Sequence, residues 1–159
     1  MFSKNKKIEF VEGDLLEQSV EVIVNTWNRN FIPWWLLLPQ GVSGAIKRKA
    51  GYKPFIELRR YGVLSLGQAV FTSAGKLPYQ GIIHVAGIGL TWQASKRSIK
   101  LSTANALSLA KEKNFSSIAF PLIGAGTGGF SEKESEEIMM EEINLLDFDG
   151  SIILVKFNK

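Results

Sequence analysis

The chain has 159 residues, 45% of them apolar, no cysteine and a formal net charge of +4. Length and composition are those of one compact unit with a substantial core, expected to be a single domain over residues 1–159. The missing thiols exclude disulfides, thiolate metal sites and a cysteine nucleophile, and no repeat or low-complexity tract interrupts the hydrophobic pattern.

In chain order, Lys4, Lys6 and Lys7 open the sequence, but Ile8 to Glu12 alternates apolar and polar as a strand does and lacks a signal peptide's apolar centre, so a cytoplasmic protein is expected. The first strand is predicted over 7–12. The second, over 20–25, is nearly continuous in apolar character, as in a strand covered on both faces. Phe31 to Pro39 is the most apolar run, but its nine residues fall far short of the roughly 20 that span a bilayer. A helix is predicted from Ser43 to Lys49, limited by Gly51 and Pro54, with another helical stretch beginning near Phe55. Strands follow at 68–73 and 81–85. Over 94–113, Leu101, Ala104, Leu107 and Ala110 recur at helical spacing and predict a crossover helix. After a strand at 117–121, Ser131 and Glu134 have the spacing of a capping box, so a helix starts near Glu132. A last strand is predicted over 151–157. This alternation predicts an α/β fold with a mixed, mostly parallel sheet between two helical layers.

Charge is unevenly spread. Glu132, Glu134, Glu136, Glu137, Glu141, Glu142, Asp147 and Asp149 face only Lys133, whereas cations cluster at Lys47, Arg48 and Lys49 and again at Lys96, Arg97 and Lys100. Such clusters either draw an anionic ligand or form a solvated face, and the sequence leaves both open.

The segment 117–130 carries the clearest chemistry: a buried strand runs into Gly124-Ala125-Gly126-Thr127-Gly128-Gly129-Phe130 and then a capped helix. Glycines let backbone amides approach a phosphate closely, and ligand sites form at the carboxyl ends of such strands. No Gly-Lys-Ser/Thr follows, so this is not a Walker loop, and a tight turn is the plain alternative. Glu132 and Glu134 already complement the helix dipole and would repel phosphate, which places the anion on the loop amides upstream. A second candidate region contains Asp14 and Leu15 after the first strand and Asn25 and Asn28 at the end of the second. Asparagines grip ribose hydroxyls well; a strand-terminal Asn also ties down its own turn, and Asp14 reads equally as helix cap or ligand acceptor.

Together these segments resemble the macrodomain family over about Ile8 to Phe157. Gly13-Asp14-Leu15 is similar to the family's Gly-Asp-Ile, Val24-Asn25-Thr26-Trp27-Asn28 to Val-Asn-Ala-Ala-Asn, and Gly41-Val42-Ser43-Gly44-Ala45-Ile46 to Gly-Val-Asp-Gly-Ala-Ile. Gly67-Gln68-Ala69 with Thr72, then Ile83-His84-Val85, then Pro121 to Phe130 match further pieces in order. The resemblance implies a three-layer α/β/α macrodomain that takes ADP-ribose, free or carried on a macromolecule. Asp14, beside Leu15, would accept from the adenine amino group, and Asn25 and Asn28 would line the distal ribose as the catalytic candidates. Gly41, Val42 and Ser43 would form the first phosphate loop at a helix N-terminus. Gly124, Ala125, Gly126, Thr127, Gly128 and Gly129 would close over the diphosphate, with Phe130 beside it.

Departures from the pattern bear on activity. MacroD-type hydrolases place an aspartate where Ser43 stands, and the branch that removes ADP-ribose from DNA uses a loop lysine where Ala45 stands. Gly128 replaces an aromatic ring common in the family. Between Asn28 and Gly41 the connection is long and apolar; Trp34 or Trp35 would cover the distal ribose as a lid, form a partner patch, or pack on the domain itself. The single histidine, His84, is expected to be a hydrogen-bonded structural residue of an inner strand, and with one histidine and no cysteine neither a metal nor a cofactor is expected. Three functions result: hydrolysis at the distal ribose 1″ position (a protein ester, a 1″-phosphate or an acetyl ester), a non-catalytic ADP-ribose reader, and, with only basic clusters and tryptophans behind it, RNA or single-stranded DNA binding.

Overall fold

The computed structural model describes residues 5–28, 41–88, 93–125 and 128–157. Among these, six strands form one sheet in the order β1-β6-β5-β2-β4-β3. They are β1 (Lys6–Gly13), β2 (Val22–Asn28), β3 (Ala69–Thr72), β4 (Gly81–Ile88), β5 (Ser117–Pro121) and β6 (Gly150–Phe157). Every pairing is parallel except that of β3, which runs antiparallel to β4 at the edge. The helices are α1 (Gly41–Ala50), α2 (Lys53–Arg59), α3 (Lys96–Glu112) and α4 (Glu132–Leu145), with a 3₁₀ turn at Leu15–Glu17. None of the described helices is long and apolar enough to cross a membrane.

Each face of the sheet has its own core. Val22 and Val24 of β2 pack with Ile99, Leu107, Ile138 and Phe148 under α3 and α4, while Ile23 joins Leu15, Ile46, Phe55 and Leu58 under α1 and α2. This division follows from the period of two in a strand: a central strand covered on both sides must be apolar at consecutive positions, as β2, β4 and β5 are.

The predicted elements recur with three differences. β2 continues through Asn28 and β4 through Ile88, three residues past each expected end. The buried stripe of α3 is Ile99, Ser102, Thr103, Ala106, Leu107 and Ala110, whereas Leu101 and Ala104 lie only half-buried at its margin. A spacing of three drifts round a helix of 3.6 residues per turn, so the strict every-third series cannot stay on one face. α3 begins with a capping box in which Ser98 stands in for the usual Glu or Gln: Ser95 Oγ accepts from Ser98 N at 2.9 Å and Ser95 N donates back to Ser98 Oγ at 2.8 Å. The box predicted at Ser131 and Glu134 is present. At the far end of α4, Lys6 Nζ donates to the carbonyls of Ile143 and Leu146 at 2.6 and 2.7 Å, meeting the acceptors a helix terminus leaves unpaired.

Candidate functional site

β5 and β2 are parallel neighbours, with Val22 opposite Ile118. The chain leaving β2 towards α1 and the chain leaving β5 towards α4 therefore depart from the same end of the sheet. α1 starts at Gly41, so Gly41, Val42 and Ser43 form the backbone of its first turn. The free amides of that turn are the donors an anion needs.

The loop after β5 is held from several directions. Ala125 N donates to Leu122 O, Phe130 N donates to Gly124 O, and Ala94 N, just before α3, donates to the carbonyl of the buried Gly128 at 3.0 Å. Gly124 has φ +85°, and a Cβ there would lie 2.7 Å from Ile99 Cδ1, so both backbone angle and close packing demand glycine. Gly129, at φ +92°, has nothing within 4 Å of where a Cβ would stand. The loop thus rests on α3 at Gly124 and Gly128 and is open at Gly129. Phe130 packs against the core under α3 and α4. Ser98 Oγ donates to Gly87 O, and Ser135 Oγ donates to Ile123 O, tying α3 and α4 to the strand ends that carry the loop.

Asp14 follows β1 and acts as a cap: its Oδ1 accepts from Leu16 N at 2.9 Å, and Lys49 Nζ stands 3.8 Å from Oδ2. Leu15 is buried in the core under α1 and α2.

Asn25 does not end its strand. It lies opposite His84 in the middle of β2, fully buried, and its Nδ2 is 3.0 Å from His84 Nδ1. On the other side of the ring, His84 Nε2 is 2.8 Å from Thr72 Oγ1, which donates its own hydrogen to Ser73 O at 3.0 Å. That last bond assigns the rest: Nε2 carries the ring proton and donates to Thr72, Nδ1 accepts from Asn25 Nδ2, and the carboxamide orientation follows. Asn25 Oδ1 is left buried with no hydrogen-bond partner. Burial pushes the imidazole down to about 3. His84 is therefore neutral at physiological pH with both nitrogens engaged, which removes it as a general base. Nor does it end its strand, since β4 runs four residues further.

Asn28 sits at the carboxyl end of β2, with its backbone opposite Ile88. Its side chain, those of Gly41 to Ser43, the residues Gly126 and Thr127, and the loop with Trp34 and Trp35 lie outside the described residues. Among the described residues no group of three or more His, Asp or Glu is placed to hold a metal ion. The sequence reading missed Ala94 and Ser98, which brace the loop, and marked Thr72 only as a point of resemblance. A serine three residues after Ser95 was the available signal for the first brace.

The Macro domain family model matches residues 24–139. The chain belongs to the macro domain family. A macro domain-containing protein of Listeria monocytogenes is 36% identical over 162 residues, covering 95% of this chain and 88% of that one. The O-acetyl-ADP-ribose deacetylase of Klebsiella pneumoniae is 36% identical over 143 residues, 85% of this chain and 78% of its own length. Among solved structures, the Oceanobacillus iheyensis macrodomain with ADP superposes with a TM-score of 0.84 at 29% identity, over 100% of this chain and 87% of that chain. A mutant of the same protein with ADPR gives the same score and identity, over 100% and 89%.

Proposed function

We propose that this macrodomain binds ADP-ribose or a derivative of it, with the diphosphate between the first turn of α1 and the loop 124–129. What supports this reading is that the chain leaves β2 towards α1 and β5 towards the loop 124–129 at the same end of neighbouring parallel strands, the loop braced by Ala94 and Ile99 and α1 opening on Gly41 to Ser43. Asp14, with one carboxylate oxygen on its own turn, has the other oxygen's lone pairs for the adenine amino group, and its contact with Lys49 at 3.8 Å is long enough to yield. Asn28, at the end of β2, is assigned to the distal ribose by its match to the family's motif. Asn25 supports that end from below, its amide nitrogen fixed by His84 and its Oδ1 the acceptor still to be used.

A second reading adds hydrolysis at the distal ribose 1″ position. The Klebsiella relative's name favours it. With Ser43 in place of an aspartate and both nitrogens of the buried His84 already hydrogen-bonded, neither supplies a general base, so the reaction would depend on a water oriented by Asn28 and the ligand's phosphate.

Isothermal titration with ADP-ribose separates binding from its absence: dissociation constants in the micromolar range, with AMP weaker, are expected, and no heat at high protein concentration removes the reading. Incubation with O-acetyl-ADP-ribose, ADP-ribose 1″-phosphate and an ADP-ribosylated glutamate substrate then tests hydrolysis. Turnover lost in Asn28→Ala supports an enzyme, and binding without turnover a reader.

A further inference from the structure

A cleft of about 860 Å³ runs along one side of α1, from Gly44 to the helix's last turn. Its walls are one side of α1 from Gly44 to Ala50, the start of α2 and the turn before β4, and they carry Lys47, Arg48, Lys53 and Lys76 with no acidic residue. The two basic clusters of the sequence have different fates. Lys96 and Lys100 stand 4.0 and 3.6 Å from Glu141 Oε2 of α4, and Lys111 is 3.4 Å from Asp147 just past that helix, so these lysines of α3 face acids. Arg48, Lys53 and Lys76 have no carboxylate within 4 Å among the described residues. The nearest acid in sequence, Glu57, is turned aside, accepting from Ser73 N at 3.3 Å and from its hydroxyl. Lys53 is even placed in the first turn of α2, which has no acidic residue and where a cation opposes the helix dipole.

Aromatic surface accompanies the charge. Tyr52 lines the cleft at 58% exposure with Lys47 Nζ 5.3 Å from its ring centre, and Tyr61, past the other end of α2, is 50% exposed beside Arg59 and Arg60. Cations lining a groove beside an exposed ring are the combination that binds a phosphodiester strand and stacks an unpaired base; carboxylates of an acidic peptide would use the cations and leave the ring idle.

We infer that this cleft is a second binding site, independent of ADP-ribose, for single-stranded nucleic acid. The cleft begins at Gly44, next to the proposed phosphate loop, but its cations Lys47, Arg48, Lys53 and Lys76 stand on the later turns of α1 and beyond it, so both ligands are expected to bind together.

Fluorescence anisotropy of the full chain with labelled 12-nucleotide single-stranded RNA and DNA, across a salt series, tests this. The design compares Lys53→Gln/Lys76→Gln with Lys96→Gln/Lys100→Gln, which change net charge equally. Two lost phosphate contacts lower the slope of log K against log salt by about 1.4 and the affinity at 0.1 M salt about 25-fold. The first pair is expected to show that loss with ADP-ribose heats unchanged, and the second pair to bind as wild type. Tyr52→Ala is expected to weaken binding about fivefold or more while Tyr52→Phe retains it. Equal losses in both lysine pairs, no binding by wild type, or tighter binding of poly-glutamate or of phosphatidylserine vesicles than of RNA overturns the proposal.

Discussion

The two helical layers are built to different rules. Under α3 and α4 the buried polar groups are small hydroxyls: Ser98, Thr103 and Ser135 return theirs to the carbonyls of Gly87, Ile99 and Ile123, while Ser102 Oγ has no partner, and outside them lysines meet Glu141 of α4 and Asp147 just past it. Under α1 and α2 the interior holds a polar chain, Thr72 to His84 to Asn25, that ends on an unpartnered oxygen, and outside it Lys49 meets Asp14 while Arg48, Lys53 and Lys76 have no carboxylate within 4 Å among the described residues. Buried polar groups cost stability unless satisfied, and like charges gathered together repel. The first layer thus relies on short local hydroxyl bonds, whereas the second commits a histidine and a carboxamide to its interior and gathers cations outside, the contrast expected between a supporting layer and a binding one.

The largest effect expected from breaking this contrast is in the first layer. Phe120 of β5 is fully buried in its core, and Phe120→Ala removes most of a large ring from close packing, at a cost of about 3–5 kcal/mol in urea unfolding. A loss below about 1 kcal/mol would mean that this core collapses into the space, and that the layer is not the rigid partner of the pair.

Next comes the second layer's histidine. Its folded pKa is depressed to about 3, against an ordinary value of 6.5. Above pH 6.5 the ring is neutral folded or unfolded, so that stability is fully present. Below it the unfolded chain takes a proton that the buried ring refuses, and unfolding free energy falls by about 1.4 kcal/mol per pH unit. About 2 kcal/mol is thus expected to disappear between pH 6.5 and pH 5, above the range where carboxylates titrate. Urea midpoints across that interval check it; a flat wild-type profile, or the same slope in His84→Gln, would falsify the assignment.

Much of this molecule is legible without coordinates. All six strands and the sites of the four helices follow from apolar runs, glycine and proline punctuation and the capping box at Ser131. Asn25 marks where such reading stops. A polar residue after an apolar run is ordinarily a strand end, and only the pairing of β2 with β4, which sets Asn25 against His84, lets the strand carry it on to Asn28. Pairing between residues 59 positions apart is a tertiary fact. The same holds for the basic clusters: both look alike in sequence, and only packing shows that Glu141 answers one of them.

Asp14 joins the two rules in one residue, because it is at once a cap and the proposed adenine contact. Asp14→Ala removes the acceptor for Leu16 N, and about 1 kcal/mol of stability is expected to go with it. Asp14→Asn keeps a capping oxygen and is expected to keep that stability. In both variants the preference for ADP-ribose over its inosine analogue is expected to fall; an unchanged preference would leave Asp14 a cap and nothing more.

The smallest effect tests whether the first layer owes its stability to its visible ion pairs. Glu141 is more than half exposed, as is Lys96, and Lys100 is over a third exposed, so water screens all three and each flexible chain loses freedom when it pairs. Glu141→Gln is therefore expected to change the unfolding free energy by less than about 0.5 kcal/mol, with little response to added salt. A loss above about 1 kcal/mol that vanishes in high salt would show instead that charge pairing, rather than the apolar contacts of Ile99, Leu107, Ile138 and Met139, fixes α4 on α3. Should the small value hold, setting Lys96 and Lys100 beside the acids of α4 serves chiefly to cancel their pull on an anion, so that an anion approaching the molecule is repelled on the side of α4 and drawn to the side of α1 and α2.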